Sequence, residues 1–262
     1  MTPEQIEQSA AAIWQARTNA RHIASLPSGT TPQNRVEGYA VQQALARLSG
    51  QQPYGWKIAA TSAAGQKHIG VDGPLGGRLF INRVLPMSMP ISLRGNGMKV
   101  GEVEFAFRMA ADLPARAEPY RVDEVMTNVS ALYPAIEIPD SRFIDFTKVG
   151  GASLIADNAC AHEFILGDEV KTNWRSLDLS KHRVTVTCDR EPICEGIGSN
   201  VLGDPRLALT WLANELNTYG LMLRAGETIT TGTCVVPFLL QAGKRYTADF
   251  GALGTLSLSF KD

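Results

Sequence analysis

Glu102 and Glu104 stand one residue apart in Val100-Gly101-Glu102-Val103-Glu104-Phe105-Ala106-Phe107, a segment that alternates as a strand does. In a strand, side chains alternate faces. The two glutamates therefore share one face, and Val103, Phe105 and Phe107 take the other, expected to be core. Two carboxylates held side by side repel, and burying them is costly unless a cation lies between them. A hard divalent cation such as Mg²⁺ suits such oxygen ligands. The plainer reading is a solvated strand face with two idle glutamates, and the spacing alone favours it.

A third carboxylate and a lysine add weight to the first reading. In Ala135-Ile136-Glu137-Ile138-Pro139-Asp140-Ser141-Arg142, Glu137 sits between apolar residues that point the other way and needs a charged partner. That partner is either a shared cation or, more simply, Arg142. In Gly55-Trp56-Lys57-Ile58, one lysine interrupts an apolar run. It either snorkels to the surface or is held in a pocket to bind a carboxylate or move a proton.

The elements that must position these groups divide the chain in two. Residues 1–83 read as a helical N-terminal region, and 84–262 as a mixed α/β catalytic domain rich in strands. Thr2-Pro3-Glu4-Gln5 is a helix start with a capping threonine, and Ile6, Ala10, Ile13 and Trp14 line one face behind it. A second helix is expected from Thr31-Pro32 to Gly50, with Val36, Val41, Ala44, Leu45 and Leu48 inward. Val125, Val129 and Leu132 suggest a helix before Tyr133-Pro134. Strands are expected at 135–138, 161–166, 184–188 and 253–260. One late helix is capped by Asp204-Pro205 and closed by Gly220. Regular strand–helix alternation, which would argue for a barrel or doubly wound sheet, is missing.

Composition removes several classes of function. A net charge of -1 on 262 residues gives no electrostatic case for nucleic acid or an anionic membrane. No apolar run reaches the roughly 20 residues of a spanning helix. The start Met1-Thr2-Pro3-Glu4-Gln5 lacks the basic and apolar stretches of a secretory signal, so a cytoplasmic protein is expected. Cys160, Cys188, Cys194 and Cys234 form no Cys-x-x-Cys motif and read as reduced thiols. His22, His68, His162 and His182 show no metal-ligand spacing. Gly196-x-Gly198 lacks a phosphate-loop context.

Seven blocks in register resemble the 2-keto-4-pentenoate hydratase and 4-oxalocrotonate decarboxylase family. They run from Gly55-Trp56-Lys57-Ile58, with Gly70-Val71-Asp72-x-Pro74, through Glu102-x-Glu104-Phe105-Ala106-Phe107 and Pro134-Ala135-Ile136-Glu137-Ile138. They continue with Ile155-Ala156-Asp157-Asn158-Ala159, Val201-Leu202-Gly203-Asp204-Pro205, Leu223-Arg224-Ala225-Gly226-Glu227 and Leu253-Gly254. The resemblance implies the fumarylacetoacetate hydrolase-like fold of rolled mixed β-sheets. It implies Glu102, Glu104 and Glu137 as ligands of Mg²⁺ or Mn²⁺, with Lys57 beside the metal to contact substrate or transfer a proton. Asp157 and Asn158 are expected near the pocket, a structural turn being nearly as good a reading. The implied substrate is a small 2-oxo or 2-hydroxy-dienoic acid from aromatic breakdown, hydrated to a 4-hydroxy-2-oxo acid, and the implied assembly is a homo-oligomer.

Two positions depart from the family pattern. Leu75 stands where hydratases carry an aspartate, and leucine cannot move a proton; this raises decarboxylation of a 2-oxo-enedioate as the alternative. Cys160 replaces a serine and reads as a small substitute lining the same pocket. A carbon–carbon hydrolase would want a histidine–glutamate pair for which no histidine is placed. A catalytically inactive partner subunit is disfavoured by retention of Lys57 and the three glutamates.

Overall fold

The computed structural model describes all residues, 1–262. Chain entry is helical. Helix α1 (Pro3–Thr18) begins on a capping box in which the Thr2 hydroxyl accepts from the Gln5 amide and the Gln5 side chain returns to the Thr2 amide. Helix α2 (Arg35–Ser49) begins on Asn34, three residues later than expected, and ends on Gly50 in the left-handed conformation that glycine tolerates. The two pack through Ala10, Ile13, Val41, Ala44 and Leu45. Each fully buried aliphatic side chain there stabilises by about 1.5–3 kcal/mol. Val36 and Leu48, expected inward, are exposed instead. The buried arc runs through Gly38, Tyr39, Val41 and Gln42 because α2 lies close against α5 (Gly151–Ala156). A Cβ on Gly38 would stand 2.6 Å from the Ala152 carbonyl oxygen.

Residues 53–80, expected within the helical part, contribute two strands. These are β1 (Pro53–Ala59) and β2 (Leu75–Phe80), joined through α3 (Ala63–Ile69) and paired antiparallel. β3 (Ile91–Ser92) and β4 (Val100–Met109) follow, then α4 (Val122–Thr127) and β5 (Val129–Ile138). Val129 and Leu132, expected in a helix, are therefore strand residues; the helix stops at Asn128. The chain continues with β6 (Glu163–Leu166), β7 (Arg183–Cys188), β8 (Glu191–Ile197) and α6 (Pro205–Thr218). It ends with β9 (Thr228–Thr233), β10 (Phe238–Leu239), β11 (Arg245–Asp249) and β12 (Thr255–Lys261).

Two sheets result. The larger runs β2-β1-β9-β4-β5-β6, with β10 also on β4; the smaller runs β3-β12-β11-β7-β8. Both are mixed, since β1–β9 and β12–β3 pair parallel and the rest antiparallel. The main core lies between the sheets and α6. Val103, Phe105 and Phe107 from β4 meet Tyr246, Phe250, Leu256 and Leu258 from the smaller sheet and Leu209, Leu212 and Leu216 from α6. The alternation of β4 thus sends its aromatic face into this core and its glutamate face to the opposite side of the large sheet. No helix is long and apolar enough to cross a membrane.

Candidate metal and active site

Three strands bring the polar residues together. In the antiparallel β4–β5 pair, Glu102 lies directly opposite Glu137, and Glu104 opposite Ala135. One carboxylate oxygen from each of Glu102, Glu104 and Glu137 lies within 4.8 Å of the others, a group able to hold a metal ion. Glu104 and Glu137 are fully buried. The Glu104 Oε2 accepts the Gly232 amide at 2.6 Å. Its Oε1 and both oxygens of Glu137 are buried without a hydrogen-bond partner. Each such atom costs about 1–3 kcal/mol or more when left unsatisfied.

Lys57 comes from β1 and is buried. Its Nζ donates to the Ala159 carbonyl at 3.0 Å and stands 3.2 Å from Glu137 Oε1, an ion pair that lacks hydrogen-bond alignment. An ammonium has three donors. With one spent on Ala159 and one turned toward Glu137, one remains for a ligand. Arg142, the simpler partner expected for Glu137, instead pairs with Asp140. Charge counting sharpens the picture: three carboxylates against one ammonium leave two negative charges in excess.

The electrostatics follow from this imbalance. Burial pushes the Glu104 carboxyl well above its ordinary range, and the charges of Glu137 and Glu102 add to it. Burial likewise raises Glu137, to about 7, against the relief given by Lys57. Burial raises Glu102 too, again opposed by Lys57. For Lys57 burial acts downward, but Glu137, Glu102 and Glu104 outweigh it and hold the ammonium above its usual range.

The turn that supplies Ala159 is strained. Asn158, Ala159 and Cys160 have φ of 60°, 49° and 61° in succession. A left-handed non-glycine residue costs roughly 1–2 kcal/mol, and asparagine tolerates it best. Asn158 offsets this by bracing the turn on β2. Its Oδ1 accepts the Arg78 amide at 2.6 Å and its Nδ2 donates to the Arg78 carbonyl at 2.8 Å. The approach is so close that a Cβ on Gly77 would stand 2.2 Å from the Asn158 carbonyl oxygen. Asp157 accepts from the Ser141 hydroxyl and the Arg142 amide, both at 2.7 Å, and pairs with Arg17 at 3.3 Å. Both residues therefore spend their polar atoms on the turn itself.

Cys160 is a free, partly exposed residue at the end of this turn. Burial of its sulfur, with Asp157 adding, pushes the thiol up to about 12, so it is neutral. Leu75 pairs with Ala59 as Gly77 does with Lys57. It thus shares the Lys57 face of the sheet, where it is buried among Tyr39, Leu154, Ile155 and Ala159. The histidines stay apart: His68 is exposed on α3, and His182 Nε2 lies 2.6 Å from the Phe250 carbonyl.

Gly232, Ala159 and Arg17 escaped the sequence reading. Gly232 had a signal: a glycine inside Thr228–Thr233 marks a bulge. Between the Glu104–Thr233 and Ala106–Thr230 pairs, β4 advances two residues and β9 three. Gly232 takes φ 96° there, which aims its amide at Glu104. A second irregularity lies beside Glu102. Between Glu104–Thr233 and Gly101–Phe238, β4 advances three residues and its neighbour five, so Cys234–Pro237 bulges next to the carboxylates.

Residues 53–260 match the fumarylacetoacetate (FAA) hydrolase C-terminal family. The chain is 33% identical to the 2-keto-4-pentenoate hydratase of Paraburkholderia phymatum over 98% of each chain. It is 29% identical to the 2-hydroxyhexa-2,4-dienoate hydratase of Comamonas testosteroni, again over 98% of each. Among solved structures, the 4-oxalocrotonate decarboxylase from Pseudomonas putida G7, complexed with magnesium and adipate, superposes with a TM-score of 0.90 at 26% identity. That match covers 99% of this chain and 98% of the other.

Proposed function

We propose a function from one premise: the chain belongs to the fumarylacetoacetate hydrolase family. It is a divalent-metal-dependent lyase that hydrates a 2-hydroxy-2,4-dienoate, or its 2-oxo-enoate form, to a 4-hydroxy-2-oxo acid. The observation that carries this reading is the convergence of Glu102, Glu104 and Glu137 beside buried Lys57, with three carboxylate oxygens left unpartnered. Hydratases similar over the full length support the reaction class.

The donor set fits a hard cation. All ligands are carboxylate oxygens, as Mg²⁺ or Mn²⁺ prefers, and a dication cancels the two excess negative charges. The 4-oxalocrotonate decarboxylase that shares this fold is complexed with magnesium in one structure and with calcium in another. When bound, the cation supplies Lewis acidity toward the carboxylate and 2-oxygen of a 2-oxo acid, where negative charge develops. The protein's own parts then have distinct tasks. Gly232 fixes the Glu104 carboxylate through Oε2 and leaves Oε1 free for the ion. Lys57 rests as the ammonium, donating to the Ala159 carbonyl, and its remaining donor is free to orient the 2-oxo acid or to lend its proton to the chain during the reaction. Asp157 and Asn158 hold the turn that holds Lys57, and the neutral Cys160 thiol closes the pocket beside it.

Leu75 favours a second reading. Leu75 itself offers no carboxylate to activate water, and a 4-oxalocrotonate decarboxylase shares the fold closely. Loss of CO₂ from a 2-oxo-enedioate needs the same clamp and no water. An ultraviolet assay with Mg²⁺ separates the two, with 2-hydroxypenta-2,4-dienoate and 2-oxohex-3-enedioate offered in turn, with and without chelator. Chelator-sensitive conversion of the dienoate to a 4-hydroxy-2-oxo acid supports the hydratase; CO₂ release from the diacid alone replaces it with the decarboxylase. Silence with both overturns the lyase assignment for these substrates.

A further inference from the structure

Behind the turn that carries Ala159 lies a small cavity. It measures about 10 Å³ and is lined by Trp14, Arg17, Arg78, Arg83, Asn158 and His162 among others. That is room for one water-sized body. Three guanidiniums line it and no carboxylate does. Their counter-charges stand outside: Glu227 holds Arg78 at 2.6 Å, Asp157 holds Arg17 at 3.3 Å, and Glu163 reaches Arg83 only at 4.0 Å.

Two buried polar atoms of the lining have no partner. The Arg17 side chain is 9% exposed and spends its terminal nitrogens on the Ala161 carbonyl and on Asp157, yet its Nε is unsatisfied. The Nδ1 of His162 is unsatisfied as well. Burial first, then Arg17, Arg83 and Arg142, push the His162 pKa far down, so the ring is neutral and stands in a positive field. Burial and Arg17 also lower Arg83. A water molecule would satisfy the Arg17 Nε–H and, in its Nδ1–H tautomer, His162, and leave this field unanswered. An anion answers both, and inside a low-dielectric wall the attraction is far stronger than in water.

We propose that this cavity binds one small monoatomic anion of the halide class, chloride in ordinary solution, between Arg17, Arg83 and His162. The site is separate from the carboxylate cluster and of opposite charge. It is nevertheless mechanically connected, because Arg17 holds Ala161 and Asp157 at the two ends of the turn whose Ala159 carbonyl holds Lys57. Occupancy therefore braces the left-handed turn from behind.

The test uses the whole protein in magnesium gluconate, so that the anion alone varies, and compares sodium chloride or bromide with sodium gluconate at matched ionic strength. Halide should raise Tm with the logarithm of its concentration once above its dissociation constant, by about 3 °C at ten times that constant, while the bulky gluconate gives no such rise. Arg83→Gln, at a side chain about one-third exposed, should remove the halide-specific rise over gluconate and keep the fold. A crystal grown in bromide should show one anomalous peak between Arg17 Nε and His162 Nδ1. Coincident halide and gluconate curves, a halide-specific rise unchanged in Arg83→Gln, or density for water without a bromide peak would each overturn the assignment.

Discussion

Glu102 on β4 faces Glu137 on β5 directly across the antiparallel ladder. Like charges placed opposite one another weaken a sheet, and here a third carboxylate, Glu104, joins them from the same strand face. The arrangement is a cost to the fold until a cation occupies it. Glu104→Gln removes one charge while keeping the Gly232 hydrogen bond. It should abolish metal-dependent turnover and the rise of Tm with Mg²⁺, with an unchanged far-ultraviolet circular dichroism spectrum. Full activity in this variant would sink the ligand assignment.

Lys57 is the one positive charge against that cluster. Lys57→Ala should lower kcat by at least about 100-fold if the ammonium transfers a proton in the reaction. A rise in KM at constant kcat would assign it to substrate binding alone. The same variant should be less stable than wild type without metal, because Glu137 loses its only nearby cation, and should recover much of the difference when Mg²⁺ is added.

How far the sequence carried this picture depends on the range of the interaction. The faces of Glu102, Glu104 and Glu137 follow from strand alternation, a local rule, and the caps on α1 and α6 follow from Thr2 and Asp204 in the same way. The Glu102–Glu137 register does not follow, because pairing across strands is set by the whole sheet. β1 and β2 were hidden for a related reason: Leu75-Gly76-Gly77 has neither alternation nor β-branched residues, and its glycines are there so that Asn158 and Tyr39 can come close. Arg142 looked like the partner of Glu137 from five residues away, yet Asp140 takes it and Lys57, eighty residues earlier, replaces it. Family resemblance supplied the grouping of the glutamates that local rules could not.

Stability without metal should fall as pH rises. The raised carboxyls of Glu104 and Glu137 bind protons more tightly in the folded than in the unfolded chain, so the folded state holds more protons from the ordinary carboxylate range upward, for Glu137 as far as about 7. Unfolding then releases protons, and the unfolding free energy drops through that window. Lys57, held above its ordinary range, stays protonated throughout and adds no slope there. Mg²⁺ should therefore raise Tm more at pH 8 than at pH 5. A metal effect equal at both values would show that the carboxylates do not titrate in this way.

Asn158 is the residue through which distance from the chemistry can be tested. Its side chain reproduces one rung of a strand ladder on Arg78, donating to the carbonyl and accepting from the amide of the same residue. Asn158→Ala strips both partners at once and also removes the residue type that best tolerates φ 60°. Each buried group left unsatisfied costs about 1–3 kcal/mol, so urea denaturation should show a loss of roughly 2 kcal/mol or more. If Asn158 acts only by holding the turn, the Ala159 carbonyl drifts and Lys57 loses its anchor, so kcat falls while KM moves little. A large rise in KM at unchanged stability would instead place the Asn158 amide on the substrate.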